Sequence, residues 1–239
     1  MNKKQGKSKA GIILLLVVVV MVAFYYNSKN NVKITKGDES AANTVQTYHE
    51  AIKLRGQLGD NTPYPDIYLY TELLKKQKNY SDEEATDQAA QRYTEAVAFE
   101  WYAEENGIAP TEEELKAHIA ERIKKAKEAD GYKQMHEACK DKGIIFENLF
   151  EGNSSFYNTE VYTEKVYNMW KENYDKAHKG ENSLLNKFNM EWKDFVKTVV
   201  EDYEKTDEYA ARAKAIRNST KAYIENSTIE EMKKAAIYY

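Results

Sequence analysis

The sequence predicts an all-α protein: a single N-terminal transmembrane helix followed by an irregular helical domain. Helix-breaking residues are rare, with ten glycines and three prolines in 239 residues, and no proline follows Pro110. Apolar residues recur at the three- and four-residue spacing of amphipathic helices, and the alternating runs typical of strands are almost absent. One uncharged apolar run covers residues 10–26.

The apolar run AGIILLLVVVVMVAFYY predicts a membrane anchor. Its 17 residues just cross a hydrocarbon core of about 30 Å at about 1.5 Å rise per residue. Four lysines within residues 1–9 predict a basic cytoplasmic tail, so the main domain lies outside the plasma membrane in a single-pass arrangement. A cleaved signal peptide and a buried soluble helix are the alternatives, although no small-x-small cleavage pair follows the run.

The chain after the anchor is organised as a tether and one helical domain. Residues 27–40 are polar and without pattern, which is typical of a tether. Residues 41–239 are predicted to form the extracytoplasmic domain, with C-terminal helices at about 183–236. Without the four N-terminal lysines, 31 basic residues face 39 acidic ones, a net charge of about −8. That charge argues against nucleic acid as a partner.

The domain's helices follow from capping signals and apolar stripes. The first helices are predicted at 41–55 and 67–77, separated by a loop rich in glycine and proline. Ser81 with Glu84, and Thr111 with Glu114, have the spacing of capping boxes, so two further helices begin there and run to Gly107 and Gly131. Later helices are predicted over 132–142, 159–177, 184–203 and 207–236, with a short helix or turn at 144–150.

The residues that could act in catalysis or bind a metal do not form a recognisable pattern. Glu114 and His118 lie one helical turn apart, but acidic residues are so common here that chance explains the pair. No serine or cysteine stands in a nucleophile elbow, and no glycine-rich loop opens a helix. Cys139 is the single cysteine, and its helical position predicts a small core residue. We therefore expect no catalytic residues, no cofactor and no metal.

An aromatic cluster is the remaining candidate site. Its residues lie where the short turn at 144–150 joins the following long helix, and their types suit either a core or an adaptable apolar groove for extended polypeptide. The candidate peptide-binding residues are Phe146, Leu149, Phe150, Phe156, Tyr157, Tyr162, Met169 and Trp170. The sequence leaves both interpretations open.

From about residue 88 to 170, helix ends and helix starts follow one another in an order that is also found in a known protein family. Residues 96–108 (AVAFEWYAEENGI) end one helix, residues 110–115 (PTEEEL) open the next, and residues 142–144 (KGI) precede an aromatic turn. In this order the stretch, roughly a third of the chain, resembles the N-terminal domain of SurA/PrsA-type extracytoplasmic chaperones, which is related to the chaperone domain of trigger factor. The resemblance implies a SurA-N-like core at about 81–175.

The resemblance implies a bacterial protein that assists the folding of exported proteins. Many members carry a parvulin-type prolyl isomerase module of strands and helices, which we do not expect here because the region after Gly152 is predicted to be helical throughout. The resemblance also implies that the stripe at 184–203 packs back on the earlier helices. The expected function is a membrane-anchored chaperone-like protein that binds unfolded or newly exported polypeptides without catalysis. The alternatives are a structural or interaction subunit with one dedicated membrane or cell-wall partner, and a divergent peptidyl-prolyl isomerase.

Overall fold

The computed structural model describes residues 35–78, 80–179 and 185–239, and every regular element in these ranges is an α-helix. The all-α prediction is therefore confirmed for this part of the chain. The helices are α1 (Thr35–Leu58), α2 (Tyr64–Lys78), α3 (Asp82–Glu105), α4 (Glu112–Glu128), α5 (Tyr132–Asp141), α6 (Asn148–Glu151), α7 (Ser154–Ala177), α8 (Leu185–Tyr203), α9 (Asp207–Ile224) and α10 (Ile229–Lys234).

The N-terminal predictions fall mostly outside the described residues. The basic tail (1–9), the anchor (10–26) and the tether up to residue 34 all lie there. The tether prediction ends too late, because α1 already begins at Thr35. None of the helices within the described ranges is both long and apolar enough to cross a membrane.

Two helix starts follow the predicted capping boxes. The Glu84 backbone N–H donates to Ser81 Oγ at 3.2 Å, and the Ser81 N–H donates to the Glu84 carboxylate at 2.9 Å. The same reciprocal pair joins Thr111 and Glu114 at the start of α4. Each pair satisfies two N–H groups that have no partner inside the helix.

The start of α7 and the extent of the last predicted helix also differ from the sequence prediction. α7 begins at Ser154, five residues before the predicted 159, and the preceding Asn153 makes no side-chain cap that would have marked the start. The last predicted helix is two helices, because the chain turns at Asn226 with φ of 50°. Thr228 and Glu231 then form a capping box that begins α10.

Helix α3 lies at the centre of the main core. It packs against α2, α7, α8 and α9, and its alanines let these neighbours approach closely on several sides. Contact between α8 and α3 agrees with the expectation that the stripe at 184–203 returns to the earlier helices. The core's buried residues are Ile67, Leu74, Ala85, Ala89, Tyr93, Val97, Ala98, Phe99, Ala103, Val166, Val199, Tyr203 and Ile216.

Two further clusters complete the interior. The second cluster joins α1 and α2 to α4, α5, α6 and the start of α7, with Tyr48, Phe146, Phe156 and Tyr157 among its buried residues. The third cluster closes the corner between α1 and α2 with residues near the C-terminal end of the chain. Its buried residues are Leu58, Tyr64, Ala222, Met232 and Ile237.

A close helix contact at Gly152 gives a stability prediction. A Cβ at this position would lie 2.7 Å from Ile52 Cδ1 and 2.9 Å from the Asn148 carbonyl oxygen. We expect Gly152→Ala to lower the free energy of unfolding by about 1–3 kcal/mol, the usual cost of overpacking, as measured by urea unfolding. Ile52→Val removes the nearest atom and should recover part of the loss.

Gly56→Ala is the matched control for Gly152→Ala. Gly56 lies within α1, and a Cβ there would meet nothing within 4 Å. The control should therefore be stabilising by about 0.5–1 kcal/mol, because alanine is the better helix former. Equal effects of the two alanines would show that the contact with Ile52 is not restrictive.

Candidate functional site

Most of the predicted peptide-binding residues lie in the second core cluster. Phe146, Leu149, Phe156 and Tyr157 are buried, and Phe150 packs partly buried against them. Ring centroids of Phe150 and Tyr157 are 5.2 Å apart, and those of Phe146 and Phe150 are 5.5 Å apart. These side chains contact one another and α1, so in this structure they pack as core and do not line a groove.

The other predicted residues lie farther along α7. Trp170 is buried, whereas Tyr162 and Met169 are half-buried. The Trp170 ring lies 4.9 Å from Phe188 and 5.0 Å from Trp192, both on α8. The structure therefore divides the predicted set into two groups and brings Trp170 of the second group against α8, whose residues are not in the predicted set.

A continuous layer of half-buried rings covers the junction of α3, α7 and α8. We call this surface the aromatic face; it consists of Tyr102, Tyr167, Phe188, Trp192 and Phe195. Tyr102 contacts Phe195 at 5.5 Å, Phe195 contacts Trp192 at 5.6 Å, and Trp192 contacts Tyr167 at 5.1 Å between centroids. The buried Trp170 contacts four of these five rings.

The aromatic face follows from the spacing of residues along α8. Phe188, Trp192, Phe195 and Val199 recur at helical intervals and point to one side. At the C-terminal end of this stripe, Val199 is buried against the main core. Towards the N-terminal end, the rings of Phe188 and Trp192 contact Tyr167 of α7. Each of these rings keeps part of its surface in contact with solvent.

A polar cavity of about 120 Å³ is the second candidate site. It lies where the end of α1, the following loop and the start of α2 meet α3, α7, α9 and the end of the chain. Its charged lining residues are Arg55, Asp60, Asp66, Glu100 and Arg212. Threonine, serine and tyrosine side chains, together with the apolar Ala96, Val97 and Phe156, complete the wall.

A buried ion pair forms one side of the polar cavity. Arg55 Nη2 donates to Asp66 Oδ1 at 2.7 Å, and Ser155 Oγ donates to the same carboxylate oxygen at 3.1 Å. Burial raises the pKa of Asp66 even though Arg55 and Ser155 favour the ionised form. The Nε atom of Arg55 is also buried and finds no acceptor among the described residues.

Glu100 and Arg212 also line the polar cavity. Burial raises the pKa of Glu100 to about 7, although the nearby positive charge of Arg212 opposes that shift. Arg212 donates from Nη2 to Glu208 at 3.3 Å, and its buried Nε has no acceptor within the described part of the chain. A carboxyl group that titrates near neutral pH can hold or release a proton at this site.

Sequence reasoning missed the polar cavity because its residues are far apart along the chain. One local signal was present: Glu100 is the charged residue inside the otherwise uncharged stretch 96–103 of α3. A carboxylate in a helix segment that is apolar on every side must become partly buried. No comparable signal marks Arg212, which follows two alanines in a helix with many exposed charges.

Other titratable residues have structural partners. His118 Nε2 lies 2.6 Å from Glu160 Oε2, and Arg122 also donates to Glu160 at 3.2 Å, which ties α4 to α7. Glu114 pairs with Lys165 at 2.8 Å. In the ranges described, no three or more His, Cys, Asp or Glu side chains are arranged to hold a metal ion.

Cys139 is buried, as the sequence predicted. Burial raises the pKa of its thiol to about 11, which leaves little reactive thiolate at neutral pH.

Comparisons with protein-family models, curated proteins and solved structures find no match to the chain. The resemblance to SurA/PrsA-type chaperones therefore stays an expectation from the sequence.

Proposed function

We propose that the chain is a membrane-tethered extracytoplasmic protein that binds exposed apolar segments of unfolded or newly exported polypeptides without catalysis. The aromatic face is the observation that carries this proposal. Its five rings come from three helices, contact one another and keep part of their surface exposed. Aromatic rings supply a large apolar area for binding at a small cost in side-chain entropy.

The charge of the domain fits the same role. The net charge of about −8 after the apolar run keeps the domain in solution while apolar rings remain partly exposed. Other large exposed apolar side chains, such as Ile145 and Met190, are not among the contacting rings of the aromatic face. Binding of an extended polypeptide is therefore expected at the aromatic face and not at the Phe146–Tyr157 group, whose residues form core.

The proposal is tested by mixing the full-length chain, in detergent, with a chemically unfolded, unrelated protein on dilution. We expect suppressed aggregation, with no acceleration of proline isomerisation in a parallel assay. The double variant Tyr167→Ser/Phe188→Ser should bind the unfolded protein about 1–2 kcal/mol more weakly, a roughly five- to thirtyfold loss of affinity.

Met190→Ser is the matched control, because Met190 also lies on α8 but is 65% exposed and outside the aromatic face. Its binding should equal that of the unaltered chain. Unchanged aggregation at several-fold excess of the chain would contradict general chaperone activity. Crosslinking at Tyr167 in the native membrane would then test for one dedicated partner. Faster isomerisation of a proline peptide would instead favour the isomerase alternative.

A further inference from the structure

We propose that the polar cavity binds a small zwitterionic amino acid, whose ammonium group contacts Glu100 and whose carboxylate contacts Arg212. This binding site is separate from the aromatic face, and its test does not depend on polypeptide binding. The two charged side chains come from α3 and α9 and line the same cavity.

Glu100 and Arg212 have opposite charges but form no ion pair with each other. Arg212 is paired with Glu208 instead, and Glu100 has no hydrogen bond or ion pair with any described residue. The Nε atoms of Arg212 and Arg55 are buried donors that lack an acceptor among the residues described. Buried donors normally find a partner, and a ligand carboxylate is a strong acceptor for guanidinium groups.

The charges around Glu100 favour a ligand that carries both signs. Arg212 and Glu208 approach from α9, Asp66 from α2, and Glu104 from the next turn of α3 itself. A simple anion would be repelled by Glu100 and Asp66. A simple cation would leave the arginine Nε donors without an acceptor. A zwitterion places its ammonium group at Glu100 and its carboxylate at Arg212, so both interactions are favourable.

The size of the polar cavity limits the ligand to a few atoms. Its volume of about 120 Å³ is slightly less than the cavity of about 150 Å³ that admits benzene. Glycine and alanine, with five and six non-hydrogen atoms, are of this size. Asp60 and Tyr239 are the exposed members of the lining, so the opening lies beside them.

The test measures thermal unfolding of the full-length chain at pH 8 with increasing glycine, L-alanine, acetate or methylamine. Glycine or L-alanine should raise the unfolding midpoint in a saturable manner, as a ligand of the folded state does. Acetate and methylamine, which each carry one of the two charges, should have much weaker effects. Equilibrium dialysis with labelled glycine measures the affinity directly.

Glu100→Gln should lower the affinity for glycine at least about tenfold, because the amide keeps the shape but loses the negative charge. Glu105→Gln is the matched control: Glu105 is the last residue of α3, is exposed and is not among the charges near Glu100, and its variant should bind as the unaltered chain does. Unfolding midpoints without ligand verify that both variants are folded. The proposal is overturned if neither amino acid binds, if acetate binds as well as glycine, or if Glu100→Gln binds normally; the first result would leave a cavity filled by water only.

Discussion

Replacing Asp66 with alanine is expected to lower the free energy of unfolding by about 3 kcal/mol. The substitution leaves the Arg55 guanidinium without its 2.7 Å partner and removes the acceptor of Ser155. Breaking a buried ion pair typically costs about 3–5 kcal/mol, mainly because the remaining charge is buried without compensation. The lower end applies because the Arg55 side chain keeps 17% exposure.

Urea unfolding of three variants tests this expectation. Asp60→Ala, at the exposed mouth of the polar cavity, should change the stability by less than about 0.5 kcal/mol. The double variant Asp66→Ala/Arg55→Met should recover much of the loss, since it removes the uncompensated charge. A loss below about 1 kcal/mol for Asp66→Ala would show that the pair behaves like a surface ion pair.

Replacing Glu100 with glutamine is expected to act in the opposite direction and to raise the free energy of unfolding by up to about 3 kcal/mol above pH 7. The folded-state pKa of Glu100 is raised from 4.5 to about 7 by burial, so protonation favours the folded chain. Below pH 4.5 the group is protonated in both states and costs nothing. As the pH rises from 4.5 to 7, the unfolded chain ionises first and the stability falls.

Urea unfolding at pH 5 and pH 8, in buffers free of amino acids, measures the difference between Glu100→Gln and the unaltered chain. The difference should be large at pH 8 and small at pH 5. Glu105→Gln should give small differences at both pH values, because its side chain is exposed and is not among the charges that shift the pKa of Glu100. A Glu100→Gln variant that is less stable at pH 8, or a gap that does not change with pH, would show that the carboxylate has a partner when ionised.

Local signals in the sequence predicted the parts of the fold that depend on local contacts. The capping boxes at Ser81 and Thr111 were found because both partners lie within four residues, and the structure forms both. The break at Asn226 was missed, although Thr228 and Glu231 have the same capping spacing. The residues of 207–236 favour a helix throughout, so the capping box at Thr228 was not recognised as the start of a new helix.

The candidate sites depend on contacts that no local pattern contains. Whether Tyr157 is core or groove is decided by Tyr48, more than a hundred residues earlier, whose ring lies 6.5 Å away. The aromatic face likewise requires the rings of α8 to meet those of α7 and α3. Glu100 was visible as an isolated charge, but the other charged residues that line the polar cavity come from segments distant in sequence.

The third core cluster has a consequence for the order of folding. Leu58 and Tyr64, at the corner of α1 and α2, are buried by Met232 and Ile237, and the Tyr239 N–H donates to the Asn61 carbonyl oxygen at 3.3 Å. These contacts join segments about 170 residues apart, a high contact order that slows their formation. The corner between α1 and α2 therefore stays uncovered until the segment from Met232 to Tyr239 is also available to pack on it.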